Sequence, residues 1–241
     1  MFFFFHFFTG VVLGLLIWDV LNDKRWIIPC IIGAVIPDIV DKPLNFILLP
    51  AVNGNGRFLF HNLLICAFLM VIGLLLWFYY ASPYILALDI GILSHQILDT
   101  MWADPVRWAY PLFGPYPAMN NTPSDFIFSL LNRDLFTPSE WILIAVLGAC
   151  ALVYIFFGRK MMEHPKTRRI LAVCLLAGAY LCCAIGAIWI GTGLGRKTIA
   201  FTGYTAPGDY IMGGCVIIIA AYVCWRLYRR MGGMWCRSAK S

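Results

Sequence analysis

Hydrophobic residues along this chain lie in seven blocks, and short polar stretches separate one block from the next. Long apolar blocks of this kind predict helices that cross a membrane, so the sequence predicts one polytopic bundle of the all-α class. The predicted membrane segments cover residues 2–20, 26–36, 63–80, 84–100, 141–157, 169–190 and 211–227.

The second block is too short to cross a bilayer as a regular helix. Its 11 residues span roughly 16 Å at 1.5 Å per residue, about half of a ~30 Å hydrocarbon core. Pro37 follows directly and interrupts regular helix. We therefore predict one short, broken helix that either stops midway or hides its irregular end inside the protein.

The polar stretches predict the remaining organisation. Residues 101–140 are rich in Pro, Asn and aromatic side chains. They predict an outer loop that caps the helices, with a short amphipathic helix at 124–131 on the membrane surface. We divide the chain into a motif-bearing membrane core at 1–115, an outer amphipathic loop at 116–140, and three further membrane helices with a basic tail at 141–241.

Composition excludes several classes of protein. Hydrophobic residues make up 61% of the chain and charged residues 12%, whereas soluble domains carry roughly 25% charged residues. The net charge of +6 does not indicate a nucleic-acid partner, because the basic residues form no stripe with interleaved aromatics. The nine cysteines contain no C-x-x-C pair, which excludes a disulfide or zinc framework.

The distribution of positive charge predicts the orientation. Twelve of the 18 Lys and Arg residues lie in the first turn, in the connection at 159–169 and in the C-terminal tail. Cytoplasmic loops carry an excess of such residues. We therefore expect the N-terminus outside and the C-terminus in the cytoplasm.

Six ionisable residues fall within or beside the apolar blocks, where each costs roughly 2.5–3.5 kcal/mol. They are His6, Asp38, Asp41, His61, His95 and Asp99. Asp89 is a seventh, and it has no obvious mate in the sequence. Taken alone, each residue is explained equally well by a functional site and by a structural hydrogen bond to one partner.

Helical rise places the six residues at overlapping heights, roughly 17–29 Å above the inner boundary. His95 and Asp99 are four residues apart on one helix face, and Asp38 and Asp41 are three apart. Mixed imidazole and carboxylate ligands suit zinc, manganese or iron. The sequence therefore predicts a shared site for a divalent metal, with zinc as the first candidate.

Four stretches carry a resemblance to a known family, over roughly residues 1–115. They are HFFTG from His6, IPDIVDKPL from Ile36, GRFLFH from Gly56, and HQILDTMW from His95 with YPLFG from Tyr110. Together they resemble the membrane-bound metal-dependent hydrolase family, which includes a LexA-regulated inner-membrane protein. That family is distantly similar to zinc-dependent phospholipase C and P1-type nucleases.

The resemblance implies the same six metal ligands and a prokaryotic inner membrane. Many members read His-Arg where this chain has Gly56 and Arg57, and they pair the two aspartates one residue closer than Asp38 and Asp41. The number of bound metals therefore stays open.

Our leading hypothesis is an enzyme, a hydrolase in which the metal activates water against a phosphoester of a lipid or lipid-linked substrate in the outer leaflet. Arg57 is the predicted catalytic cation, because its planar fork matches phosphate. Asp41 or Asp99 serves as general base if it does not bind the metal.

Two alternatives stay open at this point. One is a transporter in which the same residues form an ion or proton path. The other is a non-catalytic membrane scaffold whose metal only pins the helices together.

Overall fold

A computed structural model describes residues 3–44, 57–116, 137–138, 141, 165–199 and 207–238. The chain divides into two compact units, residues 1–140 and 141–241. The described residues contain helices and no strand, which confirms the predicted all-α class.

The described residues of the first unit form four long helices and a short one. These are α1 (Phe3–Leu21), α2 (Ile27–Pro43), α3 (Leu63–Tyr80), α4 (Tyr84–Leu98) and α5 (Pro105–Trp108). Two 3-10 turns, Lys24–Trp26 and Met101–Ala103, precede α2 and α5. The helix predicted at 63–80 matches α3 at both ends.

The second unit contains α6 (Pro165–Leu194) and α7 (Pro207–Ser238). Four of the described helices are long and apolar enough to cross a membrane: α1, α3, the Arg169–Leu194 part of α6 and the Pro207–Arg229 part of α7. Helix α4 is apolar but shorter. The helices predicted at 124–131 and 141–157 lie outside the described residues, apart from Trp141.

Helix α2 differs from its prediction. It continues through Pro37 and ends at Pro43, so it has 17 residues instead of 11 and a length of about 25 Å. A proline in a helix removes one backbone hydrogen bond and crowds the preceding turn. Packing of α2 against both α1 and α4 stabilises the helix across this defect.

Short turns make neighbouring helices antiparallel. Asp23 caps the turn between α1 and α2, where its side chain accepts a hydrogen bond from the Arg25 backbone N–H at 3.0 Å. Ala81 adopts a left-handed conformation after α3. The start of α1, the end of α2, the start of α3 and the end of α4 therefore lie at the same end of the first unit.

Glycine permits close approach of the helices at this unit's centre. A Cβ atom on Gly33 of α2 would lie 1.9 Å from the carbonyl oxygen of Leu88 on α4. A Cβ atom on Gly91 of α4 would in turn lie 2.3 Å from the carbonyl oxygen of Cys30 on α2. Membrane helices commonly pack through small residues in this way, because they let the backbones touch.

Candidate metal centre

The six predicted residues meet at one end of the first unit, and we call them the His/Asp cluster. His6 lies on α1, Asp38 and Asp41 on α2, His61 in the turn before α3, His95 on α4, and Asp99 directly after α4. None of the six side chains is more than 8% exposed. The predicted convergence of four chain segments is therefore present in the fold.

Two imidazoles face each other at the centre of the cluster. The Nε2 atoms of His61 and His95 are 3.2 Å apart. His61 Nδ1 is 2.8 Å from an Asp41 carboxylate oxygen, and His95 Nδ1 is 2.8 Å from the Ala34 carbonyl oxygen. Those acceptors place an N–H on each Nδ1, so in the neutral form of both rings each Nε2 atom carries a lone pair.

His6 completes the group of rings. Its ring stacks on His95 with centroids 3.8 Å apart, and its Nε2 lies 3.2 Å from an Asp99 oxygen. Neither ring nitrogen makes a hydrogen bond of normal geometry to the described residues. A buried imidazole in this state is suited to coordinate a cation.

Two overlapping triads bring their ligand atoms within 4.8 Å of one another. One consists of His6, Asp38 and His95, and the other of His61, His95 and Asp99. Both use His95, whose Nε2 offers a single lone pair while Nδ1 is bonded to Ala34. His95 can therefore bind one ion, in one triad or the other.

Asp41 has a different set of contacts from the other acids. Its carboxylate accepts hydrogen bonds from the backbone N–H groups of Phe58, Phe60 and His61 at 3.0–3.1 Å. It also accepts the hydrogen bond from the His61 ring. Asp41 thus holds the 57–62 turn and orients the imidazole, as carboxylates behind metal-bound histidines commonly do.

Two cations border the cluster. Arg57 Nη2 is 3.0 Å from one Asp99 oxygen, and the Arg57 side chain is 42% exposed. Lys42 Nζ is 2.9 Å from an Asp38 oxygen. Arg57, the predicted catalytic cation, therefore lies at the edge of the cluster and pairs with one of its acids.

The donor set fits a divalent transition metal. Two imidazole nitrogens on one tetrahedral zinc, each at ~2.0–2.1 Å, are roughly 3.3 Å apart. The His61 and His95 nitrogens, at 3.2 Å, already have this separation. The buried His6 ring and the Asp38 and Asp99 carboxylates supply further ligands of the kind that zinc, manganese and iron accept.

Comparison with known proteins places the chain in a family. The family model described as YdjM inner membrane protein matches residues 1–191, most of the 241 residues. The chain belongs to the YdjM inner membrane protein family. No curated protein and no solved structure matches it.

The YdjM match includes the whole His/Asp cluster. Together with the apolar helices, it identifies a membrane protein and confirms that part of the resemblance. The match extends beyond the first unit into α6.

Sequence reasoning missed two residues around the cluster of this YdjM family member. Lys42 has no role in the sequence analysis, although its spacing of four from Asp38 on a helix is a recognisable ion-pair signal. Gln96 is fully buried, and its Nε2 donates to the Phe60 carbonyl at 2.8 Å. Its position next to His95 was the available signal.

An outer segment, residues 101–116, covers the 57–62 turn. Asn62 Nδ2 donates to the Tyr110 carbonyl at 2.7 Å, and the Tyr116 hydroxyl donates to the Arg57 carbonyl. Burial raises the pKa of the Tyr116 phenol to about 12. The hydroxyl therefore stays a donor at ordinary pH.

Asp89 is separate from the cluster. It is fully buried and lines a cavity of ≈ 120 Å³ between α3 and α4, beside Cys66, Met70 and Leu93. Neither carboxylate oxygen accepts a hydrogen bond from an N–H or O–H group of the described residues.

Proposed function

We propose that this YdjM family member is a membrane-embedded, metal-dependent hydrolase whose His/Asp cluster holds a divalent cation. Zinc is the first candidate, and manganese and iron are the others. The reaction is hydrolysis of a phosphoester on a lipid or lipid-linked substrate, reached from the outer leaflet.

One observation carries the proposal: the Nε2 atoms of two imidazoles face each other at 3.2 Å in a buried site, and with both rings neutral each of these atoms presents a lone pair. Hydrogen bonds to Asp41 and Ala34 occupy the other nitrogen of each ring. Two lone pairs at this distance repel unless a cation lies between them. A metal ion satisfies both nitrogens at once, and it suits the acids around them.

Some residues of the cluster would bind the ion, and others would orient its ligands. His61 and His95 would hold the ion through Nε2, with Asp99 or Asp38 and His6 as further ligands. Asp41 would orient His61 from behind. When bound, a divalent ion supplies an activated water and polarises an ester oxygen.

Charge supports an anionic substrate. Asp38, Asp41 and Asp99 carry three negative charges, and Lys42 and Arg57 carry two positive charges. With neutral histidines, a divalent ion turns a net charge of −1 into +1, so an anionic ligand completes the balance. Arg57 is exposed enough to reach such a ligand, and its fork can bind two phosphate oxygens.

The location of the cluster supports a lipid substrate. The cluster lies at one end of the first unit, beside the start of α1, the start of α3 and the end of α4, which are apolar helices. If these helices cross a bilayer, the site would be near one membrane surface and not at the bilayer centre. The excess of Lys and Arg in the opposite loops supports placing this end outside.

The first test is the metal content of detergent-purified protein, measured by element-resolved mass spectrometry. We expect near-stoichiometric zinc, manganese or iron in the wild type, and loss of it in His61→Ala and His95→Ala. His164→Ala is the matched control, because His164 is the histidine of the sequence that is not among the six predicted ligands. Metal-free wild type, folded by circular dichroism, would contradict the proposal.

The second test is turnover. Metal-loaded protein in vesicles is assayed against phosphoester lipids with different headgroups, and we expect phosphate or headgroup release that His95→Ala abolishes. Retained metal without turnover on any headgroup would instead support the scaffold function. Metal-dependent ion uptake into the same vesicles would support the transporter function.

A further inference from the structure

Gln96 uses both ends of its side chain inside the first unit. Its Nε2 shares two N–H groups among the Phe60 carbonyl at 2.8 Å, the Asn62 carbonyl at 3.4 Å and the Cys66 sulfur at 3.1 Å. Its Oε1 accepts the Trp108 indole N–H at 2.7 Å. The residue is 0% exposed; its bonds to Asn62 and Cys66 are fully buried, and those to Phe60 and Trp108 are partly buried.

The amide end of Gln96 holds the chain on both sides of His61. The Phe60 and Asn62 carbonyls directly precede and follow that histidine, and both are bound to the same nitrogen. Asp41 binds the N–H groups of this turn from the opposite side. The backbone N–H groups of this turn are therefore bound by Asp41 on α2, and the carbonyl groups on both sides of His61 are bound by Gln96 on α4.

Gln96 also follows His95 in the chain. The helix that presents the His95 ring is thus the one that grips the His61 turn. A shift of α4 or of the 57–62 turn would change the separation of the two Nε2 atoms, which is 3.2 Å. One side chain consequently connects both imidazoles that face each other.

The carbonyl end of Gln96 connects this arrangement to the outer segment. Trp108 is the last residue of α5, and its indole N–H is bonded to Gln96 within a partly buried contact. The outer segment is therefore fastened to the residue that holds the His61 turn.

We propose that Gln96 is a positioning residue: it sets the separation of the His61 and His95 imidazoles, and it couples the outer segment to that separation through Trp108. The effect on metal binding rests on the proposed function. The positioning of the turn does not, and it can be measured on metal-free protein.

Three variants separate the two ends of the side chain. Gln96→Met removes both, Gln96→Glu keeps an acceptor for Trp108 but loses the donors, and Trp108→Phe removes only the indole bond. Ser94→Ala is the matched control, since its hydroxyl donates to the Gly91 carbonyl of its own helix.

The first readout is amide hydrogen exchange of the metal-free full-length protein in detergent. We expect faster exchange at 57–62 in Gln96→Met and Gln96→Glu, and faster exchange at 105–110 in Gln96→Met and Trp108→Phe. Unchanged exchange at 57–62 in both Gln96 variants would overturn the proposal.

The second readout is zinc affinity, measured by competition with a chromophoric chelator. Loss of a group that bonds directly to a metal-binding histidine typically weakens affinity about 10–100-fold. Gln96 acts through the backbone on both sides of His61, so we expect a loss of affinity up to about tenfold for both Gln96 variants. Trp108→Phe should weaken it less than either, and Ser94→Ala should match the wild type. Wild type without zinc affinity would refute the metal, while the exchange data would still decide the positioning. Wild-type affinity in both Gln96 variants would overturn the role of Gln96 at the metal.

Discussion

Glycine residues allow close helix packing both in the first unit and in the α6–α7 pair of the second. The two units nevertheless bury different side chains. Gly33 and Gly91 bring α2 and α4 together, and Gly186 and Gly214 do the same for α6 and α7. In the described part of the second unit, every buried residue is hydrophobic or glycine. In the first unit, close packing instead surrounds histidines and aspartates.

This difference shows what close helix packing contributes. Small residues bring two backbones together in both units, but a site arises only where the helix ends carry polar groups at matching heights. The packing in the first unit keeps those groups out of water, which strengthens their interactions with a cation. The candidate site is thus a property of the helix ends, and close packing at the glycines keeps it buried.

Overfilling a glycine contact should have the largest effect. Gly33→Ala places a methyl group on the Leu88 carbonyl, where only 1.9 Å is available, and overpacking costs about 1–3 kcal/mol or more. We expect a clear fall in Tm and loss of bound metal, followed by circular dichroism and metal analysis.

Gly178→Ala is the matched control for that variant. A Cβ at this α6 position meets nothing within 4 Å, and alanine favours helix over glycine by about 1 kcal/mol. Its Tm should equal or exceed that of the wild type. A Gly33→Ala protein with wild-type Tm would break the comparison between the units.

Removing the carboxylate behind His61 should have the next largest effect. Asp41→Ala leaves the backbone N–H groups of the 57–62 turn and the His61 ring without their acceptor. We expect zinc affinity to fall about 10–100-fold, measured by chelator competition. Asp104→Asn, in the outer segment, is the control and should retain wild-type affinity; an equal loss there would contradict the assignment.

Replacing Asp89 should raise stability, by less than Gly33→Ala lowers it. Because the carboxylate is buried without an N–H or O–H donor, and the adjacent cavity has room for a larger side chain, Asp89→Leu should be stabilising. We expect a Tm rise of about 2–4 °C per 1 kcal/mol with unchanged metal content. Loss of metal in this variant would place Asp89 within the site.

The smallest expected effect is at the edge of the site. Tyr116→Phe removes one hydrogen bond to the Arg57 backbone, which is worth about 1 kcal/mol. We expect a rise of about fivefold or less in KM for a phosphoester lipid, with kcat unchanged. Since burial holds the phenol pKa at about 12, the ratio of wild-type to variant KM should stay constant from pH 6 to pH 9.

The sequence was sufficient to predict the helical class and the convergence of the cluster. Apolar blocks define membrane helices because each backbone group must be satisfied within the helix. Counting helical rise then brought His6, Asp38, His61 and His95 to one end, where the structure has them. The predicted bounds of α3 agree with the structure, because its apolar block begins after the capping residue Asn62 and ends before the left-handed Ala81.

The remaining features depend on contacts between segments that are distant in the chain. Pro37 predicted a break, but packing of α2 on two neighbours overrides the local cost of the proline. Asp41 has the same chemistry as Asp38, and only the 57–62 turn folding back onto it shows what it binds. Gln96 carries no charge, so the cost of ionisable residues in the membrane did not select it. Its contacts with the His61 turn are visible only in the folded structure.

The shortness of α4 has a consequence for how the protein is made. Its 15 residues cover about 22 Å, and they include an acid and a histidine, so α4 is a poor candidate to enter lipid unaided. Helix α3, which is longer and more apolar, is tied to it by a turn of three residues. We expect the two to insert together as a hairpin during translation, which means that the histidines first meet only after the ribosome has passed residue 99.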